Sequence, residues 1–283
     1  MKTKKGTDNA DEINGSAGAE KILALGGNDT VYGGKGDDVL YGAAGNDRID
    51  GGVGNDKIYL GDNGTKIIGA MWDIGYGGAG NDVLYGDAGT DFLHGDGGSD
   101  RLFGGADKDY LFGDAGNDRL SGEDGDDMLY GGSGTNTLLG GDGADRMLGG
   151  VGRDTMNGGD GADTYVTGIG HARITDKGDA DTYQIDNGDG QTWILDTTGL
   201  DTLVFSDFAK EDLTFTHDGN DLVIAMGGYD GEVTLAEFFS GKNKRIEELF
   251  DNTDDTDTGY DLTDLVKELK YIGDSISGND LWN

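Results

Sequence analysis

Cysteine and proline are both absent from the 283 residues, and only three histidines occur, His94, His171 and His217. The lack of cysteine excludes disulfide staples and thiolate metal sites. The histidines share no ligand spacing, which argues against zinc. Positive charge is scarce: 21 Lys and Arg stand against 56 Asp and Glu, a formal net charge of −35. Nucleic acid and anionic membranes would repel such a surface and are not expected partners. No stretch approaches the roughly 20 apolar residues of a membrane span. Met1–Lys5 is basic but leads into polar sequence, unlike a Sec-type signal peptide.

Signatures of catalysis are missing too. There is no H-E-x-x-H, no G-x-S-x-G, no cysteine nucleophile and no Walker lysine followed by Ser or Thr. The chain is expected not to be an enzyme. With 34% hydrophobic residues and heavy like charge, it sits near the disordered class. Something besides an apolar core must hold it together, and the natural counter-ion is a hard cation with oxygen ligands.

What the chain does have is glycine, 57 residues of it, in a strict period of nine. Six consecutive nonapeptides run from Gly6 to Tyr59, and ten more from Gly77 to Val166. Clean copies read GGKGDDVLY (Gly33–Tyr41), GGVGNDKIY (Gly51–Tyr59) and GGAGNDVLY (Gly77–Tyr85). Over the 16 copies the first position is Gly in 15 and the fourth in 14. The sixth is Asp in 14, the others being Glu20 and Asn136, and the eighth is apolar in all. Positions seven to nine read as a short strand, and the six before them as a turn in which glycine permits positive φ. Two such units make one coil, so residues 18 apart should stack at about 4.8 Å, with eighth-position side chains forming a thin core between two sheets.

Stacking would set sixth-position carboxylates above one another, Asp82 over Asp100 and Asp118, and Asp91 over Asp109, Asp127 and Asp145. Like charges so close disfavour the fold unless a cation lies with them. Ca²⁺ fits better than Mg²⁺, because it takes six to eight oxygen ligands in flexible geometry, peptide carbonyls included.

These repeats resemble the GGxGxDxUx nonapeptide of the RTX (repeats-in-toxin) haemolysin-type calcium-binding family over residues 6–166. The resemblance implies an all-β fold, a right-handed parallel β-roll, with Ca²⁺ between each turn and the turn one coil later. It carries the aspartate ligand onto Asp11, Asp29, Asp38, Asp47, Asp56, Asp82, Asp91, Asp100, Asp109, Asp118, Asp127, Asp145, Asp154 and Asp163, for on the order of ten ions. Sites using Glu20 or Asn136 should be weaker or displaced. Family members are typically unfolded in calcium-poor cytosol and fold after export by type I secretion machinery, which implies an extracellular location.

Outside the repeats the organisation is less regular. Residues 60–76 break the frame and read as an insertion bulging from one coil. The second array should run from 77 to 184 with degenerate last turns, after a first array at 6–59 and a basic tail at 1–5. Strand-like runs at Trp193–Leu195, Thr202–Phe205, Leu213–Thr216, Leu222–Met226 and Val233–Leu235, with a hairpin turn at His217–Asn220, predict a β-rich cap over 185–254. The stretch from Asp201 to Phe250 resembles the haemolysin-type calcium-binding related domain that follows RTX arrays. The acidic run Asp251–Asp257 reads as a linker. Leu262, Leu265, Val266, Leu269 and Ile272 have helical spacing, so a short terminal helix is expected within 255–283, a candidate type I secretion signal. Two alternatives stay open: the non-catalytic C-terminal part of a larger secreted enzyme of lipase, protease or alginate epimerase type, and a calcium-dependent module binding a polysaccharide or cell surface. The second draws on ninth-position aromatics spaced 18 apart, His94, Phe112 and Tyr130, and Tyr85 and Phe103.

Overall fold

Residues 18 apart lie side by side in parallel strands in a computed structural model of the chain. The structure describes residues 1–62, 72–186, 190–196, 201–206, 212–218, 221–227, 231–236, 246–251, 260–261 and 275–277. These fall into two compact units, Met1–Asp145 and Arg146–Asn283. No α-helix occurs among the described residues. The helical spacing at 262–272, the linker at 252–257 and most of the candidate signal lie outside them.

In the first unit, one sheet stacks Lys21, Val39, Lys57, Val83, Arg101, Arg119 and Thr137 in register. The other stacks Glu12, Thr30, Arg48, Ile74, Phe92, Tyr110 and Met128. Alternation within each short strand turns the eighth-position side chain inward. Ile22, Leu40, Ile58, Leu84, Leu102, Leu120 and Leu138 from one sheet, and Val31, Ile49, Leu93, Leu111 and Leu129 from the other, have no exposed surface.

The off-register segment rejoins this ladder before it ends. Trp72–Ala79 pairs with Thr90–Gly98, placing Asp73 beside Asp91 and Gly75 beside Leu93. Across the insert the bonded pair Asp56 and Asp82 is 26 residues apart, against 18 residues for Asp38 and Asp56. Both sheets take the longer step, from Lys57 to Val83 and from Arg48 to Ile74. The surplus is therefore eight residues, and Trp72–Tyr76 is in phase with the repeats that follow. This stretch carries glycine where the core needs a large side chain. A Cβ on Gly75 would touch the δ-carbons of Leu84, Leu60 and Leu93 at 3.4–3.5 Å. Leu60, which occupies the first position of its repeat in place of glycine, turns inward and fills that space, fully buried. Leu60→Ala should therefore cost about 2–5 kcal/mol, as for other buried leucines, measured as a lower urea midpoint in saturating calcium. An unchanged midpoint would show that the gap at Gly75 collapses on its own.

The aromatic rows also form. Tyr41, Tyr59, Tyr85 and Phe103 stack with ring centroids 4.8–4.9 Å apart. Tyr76, His94, Phe112 and Tyr130 do so at 4.5–5.2 Å. Ring planes within each row are 3–11° from parallel, so the faces cover one another and the edges point outward. Such face-to-face stacking stabilises the sheets.

The second unit begins with the same construction and then departs from it. Arg146–Leu148, Thr164–Val166, Thr182–Ile185, Asp201–Phe205 and Ile246–Asp251 pair in parallel, one after the next. So do Val151–Asp160, Gly170–Thr175, Gln191–Leu195 and Glu232–Leu235. The coil lengthens from 18 residues between Asp163 and Asp181 to 20 between Asp181 and Asp201. Antiparallel strands follow: Leu213–Asp218 and Asp221–Met226 form the hairpin read from the sequence, and the latter strand pairs with Glu232–Leu235. The hairpin thus meets an edge that a parallel solenoid would otherwise leave open.

Candidate metal centre

Each nonapeptide turns three positions inward: the sixth, the eighth and the first. The eighth makes the core, and the sixth brings a carboxylate into the same interior. Asp29, Asp38, Asp47, Asp56, Asp82, Asp91, Asp100, Asp109, Asp118, Asp127, Asp145, Asp154 and Asp163 are all buried, and only Asp11 is half-exposed. The sequence places these side chains one above another; the structure adds that they are inside.

In the first unit they form two columns. One contains Asp11, Asp29, Asp47, Asp91, Asp109, Asp127 and Asp145, the other Glu20, Asp38, Asp56, Asp82, Asp100, Asp118 and Asn136. A single hydrogen bond repeats along them. The backbone N–H of each sixth-position residue donates to Oδ1 of the residue one coil later, as from Asp91 to Asp109 (2.8 Å), Asp109 to Asp127 (2.7 Å), Asp82 to Asp100 (2.7 Å) and Asp100 to Asp118 (2.8 Å). Asn136 keeps the bond through its amide oxygen, 3.0 Å from the Asp118 nitrogen. In the second unit Asp163 donates in the same way to Asp181, whereas Asp154 stands beside Ala172.

The other carboxylate oxygen has a different fate. Oδ2 of Asp29, Asp38, Asp47, Asp56, Asp73, Asp82, Asp100, Asp109, Asp118 and Asp127 is buried and has no hydrogen-bond partner among the described residues. In the regular repeats it points toward the first-position glycine of its own repeat. A Cβ on Gly104 would stand 2.5 Å from Asp109 Oδ2 and 2.8 Å from the Gly122 carbonyl oxygen. The first glycine is thus required less for φ than for the room it leaves between a carboxylate and the next coil. At the start of the chain the oxygen is satisfied locally. Thr7 donates its backbone N–H (2.6 Å) and hydroxyl (2.8 Å) to Asp11 Oδ2, and Ser16 gives both groups to Glu20 (2.7 and 2.6 Å).

Electrostatics follow this division. The Ser16 hydroxyl holds the Glu20 carboxyl below its ordinary range. Burial pushes Asp47, Asp82, Asp118 and Asp127 up to about 6, and Asp56, Asp100 and Asp145 to about 7. Asp73 rises to about 8 and Asp109 to about 9, through burial first and then the like charges of their column neighbours. Without a cation, Asp73 and Asp109 would not be held ionised at neutral pH, and the others would be ionised only at a cost. An all-oxygen donor set, ionisable, buried and with a lone oxygen on most of its members, fits a hard divalent cation of the Ca²⁺ type.

Several acidic residues of this interior were not singled out by the repeat count. Asp73 sits in the column between Asp47 and Asp91: the Asp47 N–H donates to its Oδ1, and it pairs in register with Asp91. Counting back one coil from Asp91 finds it. Asp176, Asp181, Asp196 and Asp201 are buried in the second unit. Asp181 keeps the sixth-position phase, but the loss of the glycines hides the others.

A family model described as RTX calcium-binding nonapeptide repeat (4 copies) matches residues 5–40, 23–58, 68–102, 103–138 and 139–174. Its third match begins inside the off-register segment, just ahead of the strand that regains the phase. No curated protein is found to match the chain. The five matches span more than half of the sequence, and the chain belongs to the family of RTX calcium-binding repeat proteins, binding calcium through a parallel β-roll.

Proposed function

We propose that the chain is an exported, non-catalytic module in which Ca²⁺ is a structural component, and that it folds when it meets calcium outside the cell after type I secretion. The observation that carries this reading is the row of buried carboxylates, most with one oxygen that has no hydrogen-bond partner among the described residues. Asp29, Asp38, Asp47, Asp56, Asp82, Asp91, Asp100, Asp109, Asp118, Asp127, Asp145, Asp154 and Asp163 would hold the ions, together with Asp73. Asp11 and Glu20 would contribute less, since Thr7 and Ser16 already serve them. Bound calcium would neutralise charge that the interior otherwise has to carry. Because ligands are assembled only in the folded chain, binding energy becomes folding energy.

Calcium titration followed by far-UV circular dichroism tests this. In EGTA the full chain should be largely disordered, and calcium should turn it β-rich in one cooperative step. Asp109→Ala should raise the calcium midpoint severalfold, and Asp11→Ala much less. A chain equally β-rich with and without calcium would sink the proposal.

A further inference from the structure

Three repeats of the second unit on successive coils, 158–166, 176–184 and 196–204, keep aspartate at the sixth position, as Asp163, Asp181 and Asp201. The column bond continues through them: the Asp163 N–H donates to Asp181 Oδ1 (2.9 Å) and the Asp181 N–H to Asp201 Oδ1 (3.0 Å). Two other positions change. The first, glycine in nearly every earlier repeat, is Gly158 and then Asp176 and Asp196. The eighth, aliphatic in the first unit's repeats, is Tyr165 and Tyr183.

The geometry links these changes. A Cβ on Gly158 would lie within 1.8 Å of Asp163 Oδ2 and 2.6 Å of the Tyr165 hydroxyl, so the first position looks directly at the sixth. Aspartate at that position brings a second carboxylate to the first. Tyr165 donates its hydroxyl to Asp176 Oδ2 and accepts from the Gly158 N–H at 2.6 Å, and Tyr183 donates to Asp196 Oδ2 at 2.6 Å. The tyrosines stack with centroids 5.1 Å apart.

The result is two triads of carboxylates, Asp163–Asp176–Asp181 and Asp181–Asp196–Asp201. Within each triad one oxygen from every residue lies within 4.8 Å of the others. All five side chains are at most 6% exposed. Asp181 belongs to both triads, is 2% exposed, and its Oδ2 has no hydrogen-bond partner among the described residues. With Ca–O distances of about 2.3–2.6 Å, oxygens across one Ca²⁺ stand roughly 4.6–5.2 Å apart, so each triad is the size one ion can span. Neither nitrogen nor sulfur is present in the set, which favours a hard cation over a transition metal.

We infer that these triads are two additional divalent-cation sites, one Ca²⁺ in each with Asp181 bridging, built from carboxylates of the coil interior where other repeats have glycine. Two such ions would offset four of the five negative charges, and the Tyr165 and Tyr183 hydroxyls would orient the outer carboxylates. The choice of calcium as the ion rests on the proposed function; the existence of the sites rests on the triads.

Native mass spectrometry and titration calorimetry of the full chain in calcium test it. The Asp176→Ala, Asp196→Ala double variant removes one carboxylate from each triad without supplying the first-position glycine of the regular repeats. It should bind two fewer ions, with the remaining ions and the calcium-induced β signal retained. An unchanged ion count overturns the inference. If that variant does not fold in calcium, Asp181→Asn removes only the shared charge and should also lose ions from the count; an unaltered count there is equally fatal. Wild-type chain that takes up no calcium at all would refute the proposed function instead.

Discussion

Lowered to about pH 5 in EGTA, the metal-free chain should regain much of the β-structure that it lacks at about pH 7.5. The sign follows from carboxylates whose folded values lie above the ordinary value of about 3.9. Asp47, Asp82 and Asp127 are pushed to about 6, Asp56, Asp100 and Asp145 to about 7, Asp73 to about 8 and Asp109 to about 9, with burial the leading cause throughout. Between about pH 4 and those values the folded chain binds more protons than the unfolded one, so stability falls as pH rises. Their contribution is fully present below about pH 4 and is lost progressively as pH climbs through 6 to 9. A tenfold gain in proton affinity on folding corresponds to about 1.4 kcal/mol. Several such groups together weigh against the roughly 5–15 kcal/mol by which a domain is normally stable. Protons at pH 5 and calcium at pH 7.5 therefore answer the same problem, the charge on one column of carboxylates.

A control separates this from general repulsion at a net charge of −35. About 0.5 M NaCl at pH 7.5 in EGTA screens exposed charges but leaves a buried carboxylate ionised and unpaired. It should restore little structure. Recovery in salt equal to that at pH 5 would assign the instability to the surface. With calcium present, the folding midpoint should not rise as pH falls from about 8 to 6, because the ligands are ionised in both the unfolded chain and the calcium-bound fold, while protons stabilise the metal-free fold. A midpoint that rises as pH falls would mean that protons compete with calcium in the unfolded chain, which ordinary carboxylates do not do in this range.

How far the sequence discloses this interior depends on which forces act in register. A period of nine states the turn, the strand and the column together, so Asp82 above Asp100 and Asp109 above Asp127 are legible without coordinates. Asp73 is harder, because the surplus in the insert displaces its phase from the first array, yet it stands one coil before Asp91. Leu60 is harder still. Its place in the core follows from a missing side chain at Gly75, a residue distant in sequence and adjacent only after folding. The inward direction of the carboxylates is not readable from alternation alone, since charge ordinarily argues for the solvent face. Only the close fit between the first glycine and Oδ2 shows why they turn in. In the second unit, Asp176 and Asp196 occupy the glycine phase itself, so the substitution that creates a carboxylate triad also erases the signal of the repeat. The antiparallel hairpin was legible from local alternation and a turn. The parallel pairing of Gln191–Leu195 and Asp201–Phe205 was not, because their longer coils leave the period.

Two glycines at the same repeat position should respond differently to alanine. Gly18 and Gly116 both occupy the fourth position of a nonapeptide. A Cβ on Gly18 would meet nothing within 4 Å, because its coil is the first. A Cβ on Gly116 would lie 1.4 Å from the Gly98 carbonyl oxygen of the preceding coil, at a φ of +152° that L side chains rarely adopt. Gly18→Ala should leave the urea midpoint in saturating calcium within about 1 kcal/mol of wild type, or raise it by narrowing the unfolded ensemble. Gly116→Ala has to push neighbouring coils apart or move its backbone, and should cost about 3 kcal/mol or more. The damage would not stay local to the turn. The same coil contact holds the Asp100 N–H to Asp118 Oδ1 at 2.8 Å, and the new methyl would sit 3.3 Å from that oxygen's position. Gly116→Ala should therefore raise the calcium midpoint as well as lower the urea midpoint. Equal behaviour of the two variants would mean that the coils are not packed this closely, and that the carboxylate columns are looser than the hydrogen bonds along them require.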